Sequence, residues 1–164
     1  MFKSLALAAV SIFTLGTSAA YGETVYSIDA GRWHMNGYKV PGRPNDSSCV
    51  LSTNWSDGKR IQVNVFPKYN GDSNVTMTVR NPGWDNSGWP LGHSFDTKFS
   101  FYSNRTGSAT YAATAQIYDD KKIIFRGMNK LFIRQFMRAD SMTLFAGSAD
   151  SLAVNLEGTY DLIE

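Results

Sequence analysis

The stretch HSFDTKFSFYS-NRTG-SATYAATAQI, residues 93–117, decides the fold. Its first run puts His93, Phe95, Thr97, Phe99 and Phe101 on one side and Ser94, Asp96, Lys98 and Ser100 on the other. That is the period-two pattern of a half-buried strand. Asn104 to Gly107 supplies a turn, and the return run offers Ala109, Tyr111, Ala113, Ala115 and Ile117 on one face. Small residues on one strand fill the spaces between large rings on a facing layer, so the pair is expected to form part of the core.

The same alternation recurs on either side. Cys49–Trp55 and Ile61–Phe66 flank Asp57-Gly58, a hairpin signal. A three-residue connection pairing Ser56 with Arg60 keeps Leu51, Thr53 and Trp55 on the face of Ile61, Val63 and Val65, whereas a one-residue slip would mix the faces. Asn74–Arg80, Lys122–Arg126, Ser141–Phe145 and Leu152–Leu156 read as further strands, preceded by Thr24–Ile28 and Trp33–Met35. Asn36 to Ser48, crowded with Gly, Pro and Asn, reads as a loop or edge hairpin without a packed core. A period of 3.6 is convincing once: Asn129 caps a helix from Lys130 to about Ala139 (129–139 with its cap), with Phe132, Ile133, Phe136 and Met137 on one flank. The expected fold is all-β, an antiparallel sandwich or distorted barrel with this one α-helix packed on it.

Residues 1–22 read as a cleaved secretory signal. Lys3 is the positive n-region, Leu5 to Leu15 the apolar run, and Ser18-Ala19-Ala20 or Ala20-Tyr21-Gly22 the small-residue cleavage site. The apolar run is too short to span a bilayer, so no transmembrane segment is expected after cleavage. Residues 23–164 then form a single β domain, periplasmic or secreted. Cys49 is the chain's one cysteine. It cannot form an intrachain disulfide and is read as a small buried hydrophobe rather than a reactive or intermolecularly paired thiol.

Of 164 residues 43% are hydrophobic and 18% charged, which excludes a disordered tail. Without Lys3 the chain carries 15 basic and 14 acidic residues, and this near-neutral body is expected to exclude a dedicated polyanion binder, a nucleic-acid binder included, whose footprint is a strong basic excess. With two histidines and one cysteine the chain shows no ligand cluster at the spacings a zinc site requires, and no metal or other cofactor is expected. The nucleophile-elbow, phosphate-loop and zinc-protease signatures are absent. Catalysis would require His34 or His93 to meet a carboxylate or hydroxyl in a cleft, and no catalytic residue is assigned.

Two features remain as contact candidates. Asn81 to Pro90 is a turn-rich segment bearing Trp84 and Trp89, whose rings can stack on sugars, anchor a protein partner, or fold back to cap the end of the sheet. Lys130, Arg134 and Arg138 form a basic stripe at four-residue spacing, supported by Lys121, Lys122 and Arg126. Like charges so placed repel, so either the acidic end of the chain (Asp140, Asp150, Glu157, Asp161, Glu164) or an anionic envelope partner must offset them.

Trp33, Ser48-Cys49-Val50-Leu51 leading through Asp57-Gly58-Lys59 to Ile61, Val63 and Val65, Phe132-x-x-x-Phe136-x-x-Ala139 with Met142-Thr143-Leu144, and Val154-x-Leu156-x-Gly158-Thr159 together resemble the invasion-associated locus B family of small exported bacterial proteins. The resemblance implies a compact β domain in the periplasm or envelope and a link to host-cell entry. It transfers no functional residue. Where the family has a second cysteine near the C-terminus, this chain has Leu162-Ile163-Glu164. The expectation is an exported, non-enzymatic, envelope-associated protein whose partner is a protein or glycan; the alternatives are a carbohydrate-binding module and an inhibitor of a secreted hydrolase.

Overall fold

The structure, a computed structural model, describes residues 23–40, 43–67, 73–146 and 150–162; the proposed signal segment lies outside them. The strands are β1 (Glu23–Ala30), β2 (Trp33–Val40), β3 (Arg43–Asn54), β4 (Arg60–Pro67), β5 (Ser73–Arg80), β6 (Ser94–Ser103), β7 (Gly107–Asp119), β8 (Lys122–Met128), β9 (Ser141–Ala146) and β10 (Asp150–Asn155), with helix α1 (Lys130–Arg138) between β8 and β9. All ten strands join one antiparallel sheet in the order β1-β2-β3-β4-β5-β8-β7-β6-β9-β10. The sheet curls into a half-barrel, the barrel-like member of the two expected architectures.

Two long connections produce this order. The segment 81–93 carries the chain from β5 past the ends of β8 and β7 to β6, and α1 carries it from β8 past β7 and β6 to β9. The helix forms where its signals lie. Asn129 caps it, its Oδ1 accepting the Leu131 N–H at 2.9 Å, and Arg138 sits in the last turn, where a cation meets the negative end of the helix dipole.

The core is the concave face. Phe99 and Phe101 of β6 and Phe125 of β8 meet Phe132 and Phe136 of α1, all at most 2% exposed. Phe132 is the hub, with ring centroids 5.1 Å from Phe99, 5.7 Å from Phe101, 5.4 Å from Tyr111 and 5.8 Å from Phe136. Ala109, Ala113 and Ala115 of β7 stand opposite Phe101, Thr97 and Phe95, small residues beside mostly large ones on the face that receives the helix.

Two sequence readings are corrected. Asn36 to Ser48 takes the hairpin form of its two expected readings, but neither at the edge of the sheet nor without a packed core: β2 runs through Val40, β3 begins at Arg43, β1 pairs on the outer side of β2, and Gly37 is buried. The tolerance for glycine comes from outside the hairpin, because the Tyr26 ring of β1 covers Gly37. The β3–β4 turn has three loop residues, as expected, but closes on Trp55 and Lys59, so Leu51 faces Val63 and Thr53 faces Ile61. This is a shift by two, which preserves the faces. Gly58, at φ +82°, takes the left-handed final loop position that a bulged three-residue turn requires.

The C-terminal segment ties the two ends of the sheet together. Trp33 Nε1 donates to the Asn155 carbonyl at 3.3 Å, and the turn at Gly158 lies against Ala30. The buried Thr159 hydroxyl donates to the Leu156 carbonyl at 2.8 Å and reaches that of Phe136 at 3.4 Å, joining this segment to α1.

Candidate functional site

The connection 81–93 separates its two tryptophans. Asn81 N–H donates to the Lys121 carbonyl, Asn86 N–H to that of Asp120, and Gly92 N–H to that of Ile117, so the loop is pinned along the β7–β8 turn. Trp84 turns inward to 5% exposure, and its carbonyl accepts from Lys121 Nζ at 2.6 Å. It caps the core at this end and has no face free for a partner. Trp89 is 55% exposed and stacks on His93 with centroids 4.5 Å apart, presenting one broad indole face to solvent beside the exposed Leu91.

The basic stripe is also divided. Lys130, Arg134 and Arg138 are exposed on α1; Arg134 and Arg138 border a small cavity of about 170 Å³ with Ser103, Thr106 and Gln135 among its lining. Of the acidic groups expected to offset them, Asp140 instead accepts the Asn104 N–H at 2.6 Å. Among the described residues no ion pair joins Arg134 or Arg138 to Asp140 or Glu157. Lys121, Lys122 and Arg126 do not support the stripe at all. They belong to the β7–β8 turn and to β8, with Lys122 and Arg126 facing outward from the sheet.

There they join a cluster that the linear sequence did not reveal. Arg60 of β4 stands opposite Arg80 of β5, and Arg80 opposite Lys122 of β8. With Arg126, Gln62, Thr78, Ile124 and Tyr118 they line a groove of about 490 Å³ on the outer face. Arg60 donates to Gln62 Oε1 at 3.2 Å and Gln62 to Asn64 Oδ1 at 3.0 Å, which orients the guanidinium along β4. Lys122 Nζ lies 4.4 Å from the Tyr118 ring centroid and 3.4 Å from Asp119 Oδ2. Partial burial pushes the Asp119 carboxyl pKa up. The Lys121 N–H, Lys122 and Arg80 outweigh that, and the net value lies below the ordinary one.

On the concave side, Tyr26, Ile28, Met35, Cys49, Leu51, Val65, Ile133 and Leu162 line an apolar cleft of about 400 Å³. Cys49 is half-buried there and unpaired with any other cysteine. At the β1–β2 hairpin, His34 Nδ1 lies 2.6 Å from Asp29 Oδ1, and its Nε2 lies 3.5 Å from Ser27 Oγ. Carboxylate, imidazole and hydroxyl therefore stand in the order of a hydrolytic triad, but on an open surface: Asp29 is 80% and His34 41% exposed, and neither borders the cavities described above.

Among the described residues no group of His, Cys, Asp and Glu could hold a metal ion, and no helix is long and apolar enough to cross a membrane. No family model, curated protein or solved structure matches the chain.

Proposed function

We propose that the protein is an exported, envelope-associated binding protein without catalytic activity, and that it contacts a glycan through Trp89. The observation that carries this reading is the indole of Trp89, more than half exposed, stacked on His93 and held on a loop pinned by backbone hydrogen bonds. An ordered aromatic surface loses little conformational entropy on binding, and large exposed rings on braced loops are favoured contact points. The signal-like residues 1–22 support export, and the resemblance to the invasion-associated locus B family supports an envelope setting. Titration with neutral cell-wall oligosaccharides should shift the intrinsic tryptophan fluorescence, and W89A should abolish the shift while retaining the fold. A shift that survives W89A, or no binding to any oligosaccharide, overturns the reading. Capture on an immobilised secreted hydrolase would favour the inhibitor alternative.

A second reading has one specific observation behind it, the alignment of Ser27, His34 and Asp29. A serine nucleophile needs a base within hydrogen-bond reach, an orienting carboxylate and donors for the oxyanion. The first two are in place, the hydroxyl at the far limit of reach. Turnover of an activated ester that disappears in S27A, with the domain still folded, would establish hydrolysis and remove the non-catalytic reading.

A further inference from the structure

We infer that the outer-face groove of β4, β5 and β8 is a binding site for a glycan carrying phosphate or sulfate esters. This goes beyond the Trp89 reading and does not depend on it.

Cations directly opposite one another on a sheet destabilise it, because the side chains are neighbours with nothing between them. Here three such positions run in one row across adjacent strands, Arg60, Arg80 and Lys122, and Arg126 adds a fourth cation farther along β8. Asp119 is the one carboxylate paired with this cluster among the described residues. All four side chains point away from the core, and Asp119, a single carboxylate beside four cations, offsets only part of their mutual repulsion. An anion placed over the row would convert the repulsion into attraction.

The geometry selects the anion. Strand spacing puts Arg60 and Lys122 about 10 Å apart across the sheet, and four residues along β8 put Lys122 and Arg126 about 13 Å apart. The groove thus accommodates a ligand with more than one anionic group rather than a single small ion. Guanidinium groups bind phosphate and sulfate through paired N–H donors. Between the cations, Gln62 and Thr78 present an amide and a hydroxyl, which can both donate to and accept from sugar hydroxyls. All three strands are paired on both sides, so no free edge is available to a peptide backbone. The balance of 15 basic and 14 acidic residues beyond residue 22 lacks the strong basic excess of a nucleic-acid binder.

The test uses the mature chain with dextran sulfate, a phosphorylated mannan, neutral dextran and single-stranded poly(dT) as probes, in 50 and 200 mM salt. Binding to one or both ester-bearing polymers and not to neutral dextran is expected, weaker at the higher salt, with R80Q and K122Q each reducing affinity about tenfold. The two polymers distinguish sulfate from phosphate as the preferred ester. R80Q should also melt at a higher temperature than wild type, because it removes a cation between two others. The assignment is overturned by undiminished binding in R80Q and K122Q, by binding to neither polymer, by equal affinity for poly(dT), or by a lower melting temperature for R80Q. Loss of binding in R134Q/R138Q or W89A with the groove variants unaffected would move the site to α1 or the 81–93 loop and equally overturn it.

Discussion

The phenol oxygen of Tyr26 on β1 lies 3.0 Å from the sulfur of Cys49 on β3, and the Tyr26 ring reaches it by lying across Gly37 on the intervening strand. A Cβ at position 37 would stand 2.1 Å from the ring, so glycine there provides the space that lets a side chain of the edge strand cross to the third strand. The hydrogen bond to Cys49, partial burial and the neighbouring thiol push the Tyr26 phenol up to about 12, from an ordinary 10.0.

The difference in alkaline absorbance titration between wild type and Y26F isolates this one phenol among the tyrosines. It should titrate near pH 12 and return toward 10 in C49A. Folding raises the pKa, so the contribution to stability is whole below about pH 10 and is lost as the pH rises through the folded value. G37A should displace the ring and have the same spectroscopic effect as C49A, at a cost of about 1–2 kcal/mol. A titration unchanged in both variants would show that Tyr26 does not make this contact.

Gly158 stands at φ +92°, and a Cβ there would lie 2.6 Å from the Ala30 carbonyl oxygen. Both the backbone conformation and the close approach of the C-terminal turn to the β1–β2 turn therefore require glycine. G158A is expected to destabilise by roughly 2–3 kcal/mol in urea unfolding. A cost below about 0.5 kcal/mol, within the range of ordinary surface substitutions, would mean that this turn does not hold the two ends of the sheet together.

Phe132 is fully buried and touches the rings of Phe99, Phe101, Tyr111 and Phe136. Truncation leaves a cavity between α1 and the paired strands β6 and β7 that their backbones cannot collapse into, so F132A should cost about 3–5 kcal/mol. The exposed neighbour Leu131 serves as the control, and L131A should cost under about 1 kcal/mol by the same measurement.

The legibility of these features follows from how local their causes are. The strands at 61–65, 75–79 and 95–101 and the capped helix at 130 could be read because each carries its own periodicity. That the 36–48 hairpin lies inside the sheet with a buried glycine could not, because Gly37 is covered by Tyr26 from another strand. Trp84 and Trp89 sit in nearly the same local composition. What separates them is Lys121 and the β7–β8 turn, which hold Trp84 inward, and His93, which supports Trp89 outward. The cationic groove was invisible for a topological reason. Arg60, Arg80 and Lys122 are distant in sequence and become neighbours because β5 pairs with β8 rather than β6. Chain proximity alone groups Lys122 and Arg126 with the helix, and the β5–β8 pairing assigns them to the groove.

Asp119 tests the electrostatics of that groove from beside it, through its contact with Lys122. Its carboxyl is held below the ordinary value because the Lys121 N–H, Lys122 and Arg80 together outweigh its partial desolvation. For a carboxyl depressed by folding, the stabilisation is present above the unfolded-state value of about 3.8 and is lost as the pH falls through the folded value. Wild type should therefore lose more stability than D119N between about pH 5 and pH 2 when the two are compared by thermal melting across that range. At neutral pH, D119N should be the less stable protein, since the cations of β5 and β8 then face one another with no carboxylate among them. Its affinity for the ester-bearing polymer bound by wild type should rise, because one competitor for Lys122 has gone. If D119N lowers that affinity instead, Asp119 orients Lys122 for the ligand rather than competing with it.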